Sequence, residues 1–337
     1  MMKNMNPTLN PVQNAALDLI RSDAGLIHSL VTLSTHATLE TNFIMMSQPY
    51  IGLFADGAEQ WCRKVGVGAP TFHGLEKEYY TKMRLSHKMF EMNYPELVSL
   101  LMTQLNRDDQ YYQLKAGMAG RILGYRNVGV DLYDNEFCGN TVLCNAYNPL
   151  DLLTNPSSGE EVKNMSIIVG RIAAFLGCVS FKPYRFRNEM FKARTKDYHF
   201  FEDCPLKIKT DWGFVLFSVL CSINYVIVFL ENLFVDEIPQ KFKYAYLQYY
   251  YLCGLIKSPE LSKAVHLEMD VSMRNKDFRN CLSHYGLGQY MKDEDIIDND
   301  LLKGLTQRSF SMGYYEAKET IYKTLIGLTT QIKEIIL

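Results

Sequence analysis

Residues 277–286 read DFRNCLSHYG and hold the side chains with the most chemical potential in the chain. Phe278, Cys281, Leu282 and Tyr285 lie at i, i+3, i+4 and i+7. On a helix they form one narrow apolar stripe that must face a core. Relative to Phe278, Arg279 then sits at roughly 100°, Ser283 at 140°, Asn280 at 200° and His284 at 240°. The polar group is expected on the face turned away from the core. Asn280 and His284 are i, i+4 neighbours and can touch. Arg279 reaches the same cleft through its long side chain, or by pairing with a second copy.

If the substrate is RNA, as the resemblance described below implies, such a set suits metal-free cleavage in which the 2′-OH attacks the adjacent phosphate. That step needs a proton acceptor, a proton donor for the leaving oxygen, and a cation over the developing charge. His284 titrates near neutral pH and can act as base or acid. The permanently charged fork of Arg279 matches phosphate geometry and can stabilise the transition state. Asn280 can orient the imidazole or bind a phosphate oxygen. Ser283 is a weaker candidate for a substrate contact. Read as a lone pair, His284 and Arg279 would be ordinary polar residues on a bundle surface. The bare Arg–His spacing also recurs at Arg194–His199 and Arg21–His28. Asn280, the flanking Phe278 and Tyr285, and the clean core stripe set 279–284 apart.

RNCLSHY resembles the R(N)xxxH signature of the HEPN superfamily, found in ribonuclease toxins and antiviral nucleases. The resemblance covers at most about 205–337, and residues 1–204 resemble nothing we can name. It implies an antiparallel helical bundle with the motif in its later part. It also implies a homodimer whose two motifs share one RNA-cleaving cleft, no cofactor, and an RNase toxin or antiviral effector with an antitoxin or regulatory partner. A degenerate member would bind RNA or protein, or dimerise, without cutting. One departure is visible. Where toxins of this family carry H-x-Y, with the tyrosine as a modification target, Gly286 occupies that tyrosine's place and Tyr285 lies on the apolar stripe. That argues against modification by a nucleotidyltransferase antitoxin.

The rest of the chain bounds these expectations. With 337 residues and 47% hydrophobic content it can bury a sizeable core. The net charge of −2 gives no global attraction to nucleic acid, so any such binding needs a local patch. One candidate patch is 181–201, FKPYRFRNEMFKARTKDYHFF. Here Arg185, Arg187, Lys192 and Arg194 interleave with aromatics that could stack on bases. The plain alternative is a linker with a solvated face. Eight cysteines include no CxxC pair, and residues 1–10 are polar without a secretory signal. Free thiols in a reducing cytoplasm are expected. The histidines show no metal-ligand spacing, so no metal site is expected.

Helical periodicity dominates, so the fold class reads as mainly α. Two units are expected: a mostly helical N-terminal domain over 1–204, of unknown fold and with a sensing or restraining role, and a bundle over 205–337. Helices are expected within 11–47 and over 76–106, where Leu97, Leu100, Leu101 and Leu105 share a stripe. Residues 127–164 are rich in Asn, Asp, Gly and Pro and read as irregular chain with room for a short hairpin. A further helix is expected over 165–181. In the bundle, helices are expected near 211–235, 239–256, 259–286 (as one helix or broken) and 300–336. Ser258 and Pro259 mark a start, and Gly286 and Gly288 a stop after Tyr285. The uncharged stretch 212–230 nearly meets the length for crossing a membrane. Ser218, Ser222, Asn224 and Tyr225 interrupt it, and a buried core helix is the preferred reading.

Overall fold

The computed structural model describes residues 8–36, 42–68, 74–148, 167, 170–171, 184–187 and 192–337. The chain opens with α1 (Pro11–His36), α2 (Asn42–Met45), α3 (Gln48–Val65) and α4 (Leu75–Ser86). One helix was expected over 76–106, but the structure breaks it. A 3-10 turn at Met89–Glu91 follows α4, and α5 (Tyr94–Lys115) starts afresh. The cause is local: Asn93 accepts from the Glu96 amide as an N-cap, and Pro95 occupies the first turn. Leu97, Leu101 and Leu105 are buried, whereas Leu100 is exposed. Helix α6 (Gly117–Leu123) follows.

The Asn- and Gly-rich stretch folds as a hairpin of β1 (Val128–Tyr133) and β2 (Glu136–Asn140), then α7 (Thr141–Tyr147). Asp134 and Asn135 both take positive φ, as a two-residue hairpin turn requires. Strand β3 (Ala193–Tyr198) pairs antiparallel with β1 on its other side, giving the order β2-β1-β3. Residues 149–166 and most of the helix expected over 165–181 lie outside the described residues.

The later helices start where their caps dictate. Helix α8 (Asp211–Asn224) runs on through a π-helical stretch, Tyr225–Leu230, to Leu233. It is long and apolar enough to cross a membrane, yet nearly all of it is buried against β2, α5 and the last helix. Next come α9 (Pro239–Ile256) and α10 (Pro259–Ala264), the latter capped by Ser258 through the Leu261 amide at 3.3 Å. An extended segment separates α10 from α11 (Lys276–His284), so the helix expected over 259–286 is two. The last expected helix is also divided, at Ser311 (φ 56), into α12 (Leu301–Phe310) and α13 (Tyr314–Ile336).

The buried core is continuous from Val12 to Ile336 and crosses position 204/205 without a gap. Helix α3 packs against both α4 and α11, and α1 packs against α9 and α12. Glycine makes part of this possible. A Cβ on Gly52 would lie 2.4 Å from the Arg84 backbone nitrogen, so only a bare backbone lets α3 come this close to α4.

Behind α11 sits a fully buried polar knot. Lys243 of α9 pairs with Asp23 of α1. Gln240 donates to Asp23 Oδ1 at 2.7 Å, and the Tyr285 hydroxyl donates to Asp23 Oδ2 at 2.6 Å. The Lys243 ammonium also lies 4.2 Å from the centre of the Tyr285 ring. Three elements distant in sequence therefore meet on one carboxylate.

Candidate functional site

Helix α11 is set at both ends by specific groups. Asn275 accepts from the amides of Asp277 and Phe278 at 2.9 and 3.0 Å. Phe278, Cys281, Leu282 and Tyr285 are all buried, as the stripe requires. The helix ends at His284, one residue earlier than the glycines suggested. Tyr285 itself takes the left-handed conformation, φ 50, which costs a non-glycine residue roughly 1–2 kcal/mol. Its hydroxyl on Asp23 and its buried ring hold it there.

The polar face is not open to solvent alone. It is covered in part by α4 and the turn that follows it. Arg84 of α4 donates from Nη2 to the Ser283 carbonyl at 2.9 Å and lies 3.1 Å from His284 Nδ1. Its Nη1 donates to Asp56 Oδ2 of α3 at 2.6 Å. Arg84 and Asp56 side chains are only 9% and 7% exposed, so this guanidinium is fixed. His284 is half-buried. Burial and the nearby cations Arg84, Lys88 and Arg279 lower its pKa to about 4, against a smaller opposing pull from Asp56. Lys88 is half-buried too. Burial, Arg279 and Arg84 lower its pKa, while Glu91 opposes. The imidazole is therefore neutral at neutral pH and faces an excess of positive charge.

Arg279 is 13% exposed at its side chain. Its guanidinium lies 5.0 Å from the Tyr250 ring centre and 5.9 Å from that of Tyr251, and reaches Glu91 at 4.0 Å. Neighbouring His87 is buried, with Nε2 2.9 Å from the Tyr251 hydroxyl and Nδ1 bonded to the Arg84 carbonyl. Burial lowers its pKa to about 3, and Lys88, Arg84 and Arg279 add to this.

The structure thus brings Arg279 and His284 together and adds Arg84 and Lys88. Asn280 is half-buried, and its expected touch with His284 gives way to the Arg84 bond. Ser283 departs from expectation. It is 3% exposed, because α3 and α4 pack over that part of the helix: Arg84 bonds the Ser283 carbonyl, and Gly57 of α3 lies against it. It serves the site through its carbonyl, and its hydroxyl is buried.

The basic stretch is put to other uses. Arg185 pairs with Asp236, Lys192 with Asp134, and Arg194 reaches Asn135. Arg187 is exposed, and its amide donates to the Leu233 carbonyl. Arg194 lies on β3, an edge strand, where exposed charge discourages pairing with other chains. Tyr184 bonds to Ser22, Phe186 packs on Phe234, and Phe200 packs on Phe214. None of these described aromatics is free to stack on a base. In the Arg194–His199 and Arg21–His28 pairs, Arg194 reaches Asn135, His199 lies by Asp109 and Glu202, and Arg21 pairs with Asp18.

Arg84, Lys88 and Asp56 carry no motif, and sequence reasoning passed over them. Their proximity to His284 arises from tertiary packing, which no local pattern in the sequence marks. A cleft of about 940 Å³ lies elsewhere, between α13 and the extended segment after α10, with Lys257, Glu268, Asp270 and Lys323 among its walls. All seven described cysteines are free and buried. No protein family, no curated protein and no solved structure matches this chain.

Proposed function

We propose that this protein is a metal-independent endoribonuclease of the HEPN type, acting in the cytoplasm as an RNase toxin or antiviral effector. One observation carries the reading: Arg84 lies 3.1 Å from a neutral, half-exposed imidazole on which the charges of Lys88 and Arg279 also act, a setting that favours an anion over a cation. A phosphodiester entering there would be held by Lys88 and Arg279. Arg279 would stabilise the charge that develops on the phosphorus oxygens, and His284 would serve in proton transfer. A second copy in a homodimer would supply the second imidazole. Asn280, at the edge of the same face, is available to a phosphate oxygen. The basic residues Arg185, Arg187, Lys192 and Arg194 could contact RNA only outside the cluster, by exchanging their present partners.

A second reading has its own support. Arg84 occupies His284 Nδ1, which restrains proton transfer and fits a bundle that binds RNA or protein without cutting it. One experiment separates the two. RNA is incubated with the full-length protein in EDTA, beside His284→Ala and Arg279→Ala. Cleavage by the wild type that drops about 10² to 10⁴ in His284→Ala supports the nuclease. RNA binding without cleavage supports the second reading. Absence of both removes RNA from the account.

A further inference from the structure

We propose that Arg84 is a positioning residue for His284. By donating Nη2–H to Nδ1, it fixes the tautomer whose proton is on Nε2, so the ring offers a phosphodiester oxygen a donor and not a lone pair.

The argument is geometric. A guanidinium has only donors, so the Nδ1 it faces at 3.1 Å must be the acceptor. In a neutral imidazole the proton then sits on Nε2. Arg84 cannot drift to another role, because Asp56 and the Ser283 carbonyl hold its two terminal nitrogens. Asp56 is steadied in turn by Gln60, at 2.8 Å. The neutral state has support from every side. Arg84 of α4, Lys88 beyond α4 and Arg279 of α11 all disfavour the imidazolium, and only Asp56 of α3 favours it. Nε2 makes no hydrogen bond among the described residues and is left for a ligand.

This sharpens the reading above and rests on it for the ligand. An Nε2–H is a donor on a ring that already feels the positive charges of Lys88 and Arg279, which suits an anionic oxygen. It also sets an order of events. Acceptance of the 2′-OH proton at Nε2 must wait until Arg84 leaves Nδ1 and the ring proton moves there.

The test needs no RNA. Ring nitrogens of the 15N-labelled full-length protein are recorded by NMR, with the His284 signals identified by their loss in His284→Gln. At pH 7 we expect protonated Nε2 and unprotonated Nδ1, with a titration midpoint near 4. A ring protonated at Nδ1, an even mixture, or a midpoint near 6.5 would overturn the proposal. In Arg84→Gln, we expect mixed tautomers and a midpoint moved up toward 6.5. An unchanged tautomer in folded Arg84→Gln also overturns it. Should that variant not fold, Asp56→Asn loosens Arg84 instead and is held to the same outcomes. Because cleavage is not read, failure of the ribonuclease reading and failure of the tautomer assignment stay distinguishable.

Discussion

Arg84 Nη2 lies 3.1 Å from His284 Nδ1, across a separation of 200 residues in sequence. The motif histidine is therefore finished by a side chain from the first quarter of the chain. If cleavage occurs, Arg84→Ala is expected to change its rate and shift its pH profile even though Arg84 touches no substrate. The measurement is the rate on a fixed RNA, with circular dichroism as the check on folding. A folded Arg84→Ala with the wild-type rate and pH profile would show the contact to be idle.

Stability should depend on pH through His87. Its pKa is about 3 in the fold and 6.5 without perturbation. Between those values the unfolded chain binds the proton and the folded chain does not. The stabilisation is complete above pH 6.5 and is lost as pH falls toward 3, at about 1.4 kcal/mol per unit. His284, with its pKa near 4, adds in the same direction but less, since it is half-exposed. Urea unfolding at pH 6.5 and 5 should show the fall, and His87→Gln should flatten it. An equal slope in both proteins would remove His87 as the cause.

The knot on Asp23 should be sensitive. Lys243→Met leaves a buried carboxylate without its cation and is expected to cost about 3–5 kcal/mol. Tyr285→Phe removes one hydrogen bond to a charged group, about 1.5–3 kcal/mol. Both are read from the urea midpoint at constant slope. A loss under 0.5 kcal/mol in Lys243→Met, on the order of a surface change, would mean the pair is not formed.

Gly52→Ala should destabilise by pushing α3 off α4, because the added methyl meets backbone and not a flexible tip. Overpacking of this kind costs about 1–3 kcal/mol. Thermal unfolding gives the sign directly, and a stabilised variant would contradict the close approach.

Arg185, Arg187, Lys192 and Arg194, replaced together by Ala, should leave the protein folded, because exposed ion pairs contribute little to stability. RNA affinity should change little, since acidic and amide groups already engage three of the four. A large loss, with a weaker dependence on salt, would place RNA on this surface after all.

Much of the architecture was legible because helical spacing and caps are local. The motif stripe, the Ser258 start, the buried 211–233 helix and the hairpin region all follow from neighbours in sequence. The breaks at Asn93 and Ser311 were harder. One rests on a cap that also reads as a helix interior, and the other on a left-handed serine with no compositional mark. The site was half legible. Arg279 and His284 announce themselves by spacing, whereas Arg84, Lys88 and Asp56 reach them only through tertiary packing. Ser283 was misjudged because an angle around a helix says nothing about what lies against that face. For the basic stretch, composition could not say that Arg185, Lys192 and Arg194 have partners within the fold.

The Asp23 carboxylate has a consequence for anyone who would cut this gene in two. Lys243 and Tyr285 both belong to the later portion, yet their shared counterion sits on the first helix. A fragment beginning at 205 would carry an orphaned ammonium in its interior and a strained tyrosine with nothing to anchor it. The motif turn is thus assembled only when the opening helix docks, and the segment 205–337 is not a portable module here.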